Sequence, residues 1–249
     1  MVAFSGGVDS TLLAAVARDE LGERTRCVLL SSPVVPTAAV KQAQEIAREL
    51  GLALDIIEVP LMDHAEFCKN PADRCYHCKK ISAGFLKQRA RELGFAGIAD
   101  GINVSDTGEH RPGLRAATEE GIVHPFIGAG ISKEEIRIIA RKLGLPVWQK
   151  PSAACLSSRI PYGDRITPEK LRMIEDAEAF LASLGIGQLR VRMHGNLARI
   201  EVHKADTGRI LEQQSAVLQH FRLLGFAYVT LDLGGYRSGS MDEVLKKKL

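Results

Sequence analysis

The sequence predicts an α/β fold: a parallel sheet with helices on both faces over residues 1–150, then a smaller α+β domain over 151–249. Three observations carry that prediction. Short apolar runs alternate with segments of helical period through the first part of the chain, as parallel strands joined by crossover helices require. A glycine-rich turn, Phe4-Ser5-Gly6-Gly7-Val8-Asp9-Ser10-Thr11, joins the first strand to the first helix. The composition then changes at Lys150-Pro151-Ser152-Ala153-Ala154-Cys155, and a different pattern follows.

Val2-Ala3-Phe4 reads as the end of a buried strand, and from Asp9 onward Leu12, Leu13, Val16 and Leu21 fall at helical spacing. Thr25–Ser31 is a second buried strand, in which Cys27 is a small core residue. Ala39, Val40, Ala43, Ile46, Ala47 and Leu50 mark a helix stopped by Gly51. Leu54–Val59 is a third strand, and Asp63 with Glu66 starts a short helix in capping-box fashion. A helix from about Lys79 to Leu93 closes at Gly94. Ala96–Asp100 is a fourth strand, followed by the polar loop Gly101–Asp106, and a fifth surrounds Ile122–Phe126. Ser132 and Glu135 form a capping box for a helix ending near Gly144. Ligands of such sheets bind beyond the carboxyl ends of the strands, where the Ser5–Ser10 and 101–112 loops fall.

In the second part, Thr167-Pro168 opens a helix with a hydroxyl cap and a first-turn proline. Residues 188–193 and 197–202 alternate polar and apolar around His194-Gly195-Asn196, a hairpin pattern. A helix over 206–223 and a strand over 226–232 complete an αββαβ unit, and Lys246–Lys248 reads as a solvated tail.

The 249 residues are 45% hydrophobic and 25% charged, as in an ordinary globular protein. A net charge of +3 argues against a nucleic-acid-coating surface. No apolar run approaches the ~20 residues of a membrane span. The chain begins directly in the first strand, without a signal peptide, an abrupt start from which further N-terminal residues are expected. Five cysteines do not read as a disulfide framework and point to a reducing cytoplasm.

The chemistry begins at the Ser5–Thr11 turn. Gly6 and Gly7 let backbone approach a ligand, Ser5, Ser10 and Thr11 add hydroxyls, and the helix offers unpaired amides with the positive end of its dipole. Together these make an anion site, with phosphate as the anion. Neither the Gly-Lys-Ser/Thr of the Walker loop nor the three spaced glycines of the dinucleotide fingerprint is present.

A second cluster is Asp73-Arg74-Cys75-Tyr76-His77-Cys78-Lys79-Lys80. Cys75 and Cys78 share a helix face near its N-terminus, which favours their thiolates. Such a pair is half a zinc site, a redox dithiol, or two ligands of an iron–sulfur cluster. Cys155, in Ala154-Cys155-Leu156-Ser157-Ser158-Arg159-Ile160-Pro161-Tyr162-Gly163, offers a third thiolate; Cys68 reads as a bystander. A third cluster is basic: Arg190 and Arg192 share one face of a hairpin strand, Arg199 and Glu201 share a face of its partner, and Arg237 follows the last strand. Arginine forks there suit an anionic second substrate.

Ser-Gly-Gly-Val-Asp-Ser resembles the PP-loop of the ATP pyrophosphatase superfamily, whose enzymes cleave ATP between its α- and β-phosphates. The Cys155–Gly163 loop, the ending Tyr228–Gly239, and Asp100-Gly101-Ile102-Asn103 with Asp106 and Arg111-Pro112-Gly113 extend the similarity nearly end to end, to the LarE family. These are sulfur insertases that help build the nickel-pincer nucleotide cofactor of lactate racemase. The resemblance implies a Rossmann-like, adenine nucleotide alpha hydrolase-like fold. It also implies that a carboxylate of pyridinium-3,5-biscarboxylic acid mononucleotide is adenylated and then converted to a thiocarboxylate. By resemblance Ser5, Gly6, Gly7, Asp9, Ser10, Ser31, Asp106 and Arg111 bind ATP, with Asp9 a Mg²⁺ ligand. Ser158, Arg159, Arg190, Arg192, Glu201, Asp232 and Arg237 form the substrate pocket.

The family delivers sulfur by two routes: a single sacrificed cysteine, or three cysteines holding a [4Fe-4S] cluster that carries a transferable sulfide. Cys75, Cys78 and Cys155 favour the cluster, with Cys155 alone as the sacrificial alternative. The resemblance further implies a sulfide or other sulfur donor, a downstream nickel-insertion protein and a homo-oligomer. Rival expectations are a tRNA thiolase, another PP-loop synthetase, or a non-catalytic nucleotide-binding module.

Overall fold

The computed structural model describes residues 1–108, 112–151, 154–237 and 239–243. In chain order its strands and helices are β1 (Val2–Ala3), α1 (Val8–Leu21), β2 (Cys27–Ser31), α2 (Thr37–Glu49), β3 (Leu54–Glu58), α3 (Ala65–Cys68) and α4 (Arg74–Glu92). There follow α5 (Pro112–Glu119), α6 (Pro125–Gly128), α7 (Lys133–Lys142), α8 (Pro168–Ser183), β4 (Leu189–His194), β5 (Leu197–Val202), α9 (Thr207–Glu212), α10 (Gln214–Leu224) and β6 (Tyr228–Leu231). The chain divides into two compact units, one of residues 1–64 with 73–153, the other of 65–72 with 154–249.

In the first unit β1, β2 and β3 pair in parallel, in that order. The predicted fourth and fifth strands shrink to single paired residues, Ala99 beside Val2 and Val123 beside Ala99, both parallel. The fifth is cut short because Pro125 opens α6 two residues past Val123. The order is thus Val123, Ala99, β1, β2, β3, and the direction of winding reverses between β1 and Ala99. That reversal is the crevice where doubly wound sheets bind ligands.

Alternation along β2 builds a core on each face. Cys27 and Leu29 pack with Leu12, Ala43, Ile46 and Ile136 from α1, α2 and α7. Val28 packs on the opposite face with Ala83, Leu86 and Ala90 from α4 and Ala117 from α5. The helix predicted from Lys79 begins earlier, at Arg74, which puts Cys75 in its first turn and Cys78 just beyond.

In the second unit β4 and β5 form the predicted hairpin, pairing Arg190 with Glu201 and Arg192 with Arg199, and β6 adds in parallel to β5. Leu189, Val191, Met193, Ala198, Ile200 and Val202 are buried on one face. The charged residues take the other face, as the two-residue period of a strand dictates. The single helix expected over 206–223 is broken: Gln213 leaves helical geometry, ending α9 and capping α10. The capping box expected of Asp63 and Glu66 gives way to a 3-10 turn over Leu61–Asp63, with α3 starting at Ala65. The 65–72 segment is stitched to the loop after Cys155. Asn70 Nδ2 donates to the carbonyls of Ile160 and Pro161 at 3.2 and 2.7 Å, and Asn70 O accepts from Gly163 N at 2.9 Å. The Lys246–Lys248 tail lies outside the described residues.

Phe221 on α10 is fully buried against Phe226, with ring centroids 5.6 Å apart. Phe221→Ala is expected to lower the unfolding free energy by about 3–5 kcal/mol in a denaturant titration.

Candidate functional site

The glycine-rich turn of the first unit has the geometry an anion needs. Gly6 sits at φ +66°, and a Cβ there would meet Ala43 of α2 at 2.8 Å. Gly7 caps α1 with no side-chain hydrogen bond, which leaves first-turn amides for a ligand. The two serines knit the turn together. Ser10 Oγ accepts from Ser5 N at 3.1 Å, lies 3.1 Å from Ser5 Oγ, and donates to Gly7 O at 3.3 Å. Ser5 Oγ accepts from Gly7 N at 3.4 Å. Ser10 is buried, so its hydroxyl shapes the loop from within. Thr11 Oγ1 is buried and has no hydrogen-bond partner among the described residues.

The loop after Ala99 presses on this turn. A Cβ on Gly101 would meet Asp9 and the amide of Ser10 at 2.9 Å. Its neighbour Asp100 is buried and anchored three ways: to Lys79 Nζ at 3.0 Å, to His124 Nδ1 at 2.7 Å and to the Ile102 amide at 3.3 Å. Asn103 Nδ2 donates to Asp9 Oδ1 at 3.3 Å, and Lys133 Nζ pairs with Asp9 Oδ2. Asp9 is therefore engaged by a cation, and a Mg²⁺ ion would have to exchange with Lys133. The Asp106 carboxylate accepts from the Asn103 amide at 3.1 Å, closing a capping box on its own loop. Ser31 ends β2, half-buried, with its carbonyl accepting from Val59 N at 2.7 Å. Arg111 lies outside the described residues.

Cys75 is exposed and Cys78 half-buried on α4, in the first unit, and α5 lies alongside: a Cβ on Gly113 would fall 3.6 Å from Cys75 O. Cys155 is half-buried in the second unit, with Sγ 3.0 Å from Ser157 Oγ. Cys68, also in the second unit, and Cys27 are buried. Among the described residues no three His, Cys, Asp or Glu side chains gather as a metal-holding group.

The second unit brings five of the predicted pocket residues, Ser158, Arg159, Arg192, Glu201 and Asp232, into one hydrogen-bonded network. Arg159, 3% exposed, forks onto Glu178 at 2.9 and 3.0 Å, and its remaining nitrogen donates to Ala154 O, Cys155 O and Ser158 Oγ at 2.7–3.0 Å. Arg192 forks onto the fully buried Glu201 at 2.8 and 3.1 Å and donates to Ser158 O at 3.1 Å. Ser240 Oγ donates to the other Glu201 oxygen at 2.8 Å. Arg199 bridges Glu201 and Asp232 at 3.2 and 2.8 Å, and Arg237 pairs with Glu243 at 3.1 Å.

Arg190 differs. It stacks 5.2 Å from the Tyr236 ring centre, donates to Leu189 O, and has no carboxylate in ion-pair range among the described residues. Burial, then the nearby Arg159 charge, push it below the usual arginine range. It is the guanidinium of the set with charge left for an anion. Glu178 and Ser240 were not legible as site residues. The signal for Glu178 is its place on the buried stripe Leu171, Ile174, Leu181 of α8, where a carboxylate needs a partner.

Comparison with known proteins extends these observations. A family model described as NAD synthase matches residues 1–104. The pyridinium-3,5-bisthiocarboxylic acid mononucleotide synthase of Lactiplantibacillus plantarum is 37% identical, across 99% of this chain and 90% of its own length. An uncharacterized protein of Synechocystis is 42% identical over 99% of this chain and 93% of its length. One from Methanocaldococcus jannaschii is 33% identical over 96% and 90%.

Two substitutions test the geometry. Gly6→Ala, forced to a positive φ and against Ala43, is expected to cost about 1–3 kcal/mol of stability and abolish nucleotide binding, read by thermal shift with and without ATP. Glu178→Ala strands a buried guanidinium and is expected to cost about 3–5 kcal/mol in denaturant unfolding.

Proposed function

The chain belongs to the LarE family of ATP-dependent PP-loop enzymes, and from that premise we propose that it adenylates a carboxylate of pyridinium-3,5-biscarboxylic acid mononucleotide and replaces the activated oxygen with sulfur. The observation that carries this is 37% identity, over 99% of the chain, to an enzyme named for the bisthiocarboxylic product.

A carboxylate is a poor electrophile, so it must be activated. Its oxygen attacks the α-phosphorus of ATP, the α–β anhydride bond breaks, and pyrophosphate leaves. A sulfide then attacks the acyl carbon, the bond to the AMP oxygen breaks, and AMP carries away the original carboxylate oxygen. With sulfur entering as sulfide, no electron is exchanged.

Gly6 and the first-turn amides of α1, Asp9 and Ser10 among them, receive the phosphates, while the Ser5 and Ser10 hydroxyls, which take the Gly7 and Ser5 amides, hold the turn in shape. Ser31, Asp106 and Arg111 complete the nucleotide side, and Asp9 would hold Mg²⁺ once Lys133 releases it. Arg190 takes the anionic end of the substrate. Arg159 and Arg192, fixed by Glu178 and Glu201, hold Ser158 and the Cys155 loop beside it, and Asp232 orients Arg199 near Arg237.

Cys75, Cys78 and Cys155 would hold a [4Fe-4S] cluster. An all-thiol donor set suits iron, and none of the three is buried, whereas Cys27 and Cys68 are. When bound, such a cluster supplies an iron without a thiolate that can carry a transferable sulfide. A sulfide or related donor, a nickel-inserting protein downstream, a homo-oligomeric state and a cytoplasmic setting belong to the same proposal. The small net charge of +3 weighs against a tRNA substrate.

Iron and acid-labile sulfide, measured on protein handled without oxygen, test the sulfur route. About four irons per chain are expected, lost in Cys75→Ala, Cys78→Ala and Cys155→Ala. An iron-free protein whose Cys155 becomes dehydroalanine after one turnover would replace the cluster with sacrificial sulfur. A protein that releases no pyrophosphate from ATP with the pyridinium substrate would overturn the enzyme assignment.

A further inference from the structure

The Ser5–Thr11 turn contains no lysine or arginine, yet a nucleoside triphosphate brings several negative charges to it. The Walker loop carries its own lysine; this turn has to borrow one. Two lysines distant in sequence reach it among the described residues. Lys150 Nζ donates to Gly6 O at 2.8 Å from 144 residues away, and Lys133 Nζ pairs with Asp9 from 124 residues away.

Both are set by α7. Lys133 is its first residue, behind the Ser132–Glu135 capping box, and the Lys133 amide donates to Ser105 Oγ at 3.0 Å. Arg137, one turn on, donates to Trp148 O at 2.6 Å and Lys150 O at 3.0 Å, fixing the backbone that carries the second lysine. An ammonium has three N–H groups, and Gly6 O takes one from Lys150. Burial holds the Lys150 ammonium below the usual lysine range, so its charge gains from an anion nearby.

We propose that Lys133 and Lys150 are the cationic arms of the nucleotide site, binding the β- and γ-phosphates that depart together as pyrophosphate. The inference rests on the ATP assignment above and adds to it the residues that neutralise the leaving group. Preplaced cations there act where charge develops in the transition state. Lys133 is the counter-ion of Asp9 in this structure; were Mg²⁺ to take that carboxylate, the ammonium would be released for phosphate.

The test is equilibrium binding of ATP, AMP and pyrophosphate, with Mg²⁺, to the full chain and to Lys133→Met, Lys150→Met and Lys150→Arg. Each Met variant is expected to lose about tenfold or more in affinity for ATP and pyrophosphate, with AMP changed less than about twofold. Lys150→Arg is expected to recover most of the ATP affinity. Equal losses for ATP and AMP would make the lysines merely structural and overturn the proposal, as would unchanged ATP binding in both Met variants. Should a Met variant fail to fold, Lys133→Gln and Lys150→Gln carry the same ATP-against-AMP comparison. A wild-type chain that binds AMP but not ATP or pyrophosphate would remove the nucleotide assignment itself, a failure distinct from that of the lysines.

Discussion

Backbone amides can hold a phosphate only where the chain turns sharply with no side chain in the way, and the rest of the first unit is arranged around meeting that condition at Gly6. Its positive φ and the closeness of Ala43 leave no room for a Cβ. From the other side Gly101 lies against Asp9 and Ser10, so the turn is clamped between α2 and the loop after Ala99. That loop is held by Asp100, whose buried carboxylate also binds Lys79, the residue after Cys78. One carboxylate therefore ties the cysteine-bearing helix to the phosphate turn.

The second unit solves a different problem, that of gathering several arginines without mutual repulsion. Arg159 and Arg192 are each sunk into the protein against a carboxylate, Arg159 bidentate on Glu178 and Arg192 with two nitrogens on one oxygen of Glu201. Ion pairs so far from water have to be geometrically complete to be tolerated at all. Their contribution is placement more than stability: they pin Ser158 and the carbonyl of Cys155. Arg190, with no carboxylate in ion-pair range among the described residues and lying on Tyr236, is the one we propose for a substrate anion.

What could be read from the sequence was whatever lies in contiguous residues. The phosphate turn is spelled out in six neighbours, the hairpin in its two-residue alternation, and the helix starts at Ser132 and Thr167 in their caps. The paired length of the fourth and fifth strands was not readable, because neighbouring turns decide it. Nor were Lys133 and Lys150 readable as neighbours of the turn, since only folding closes the intervening chain. Glu178 was hidden among apolar residues for the same reason: its importance lies in Arg159, 19 residues earlier. The segment carrying Cys68 joins the second unit through hydrogen bonds from Asn70 across about ninety residues, which no local pattern encodes.

The most direct measurement follows one oxygen atom. Pyridinium-3,5-biscarboxylic acid mononucleotide labelled with oxygen-18 in its carboxylates, incubated with ATP, the protein and a sulfide source, is expected to yield AMP carrying one heavy oxygen, with none in pyrophosphate. Heavy oxygen in orthophosphate, or AMP formed without any label, would contradict carboxylate adenylation as the reaction of this chain.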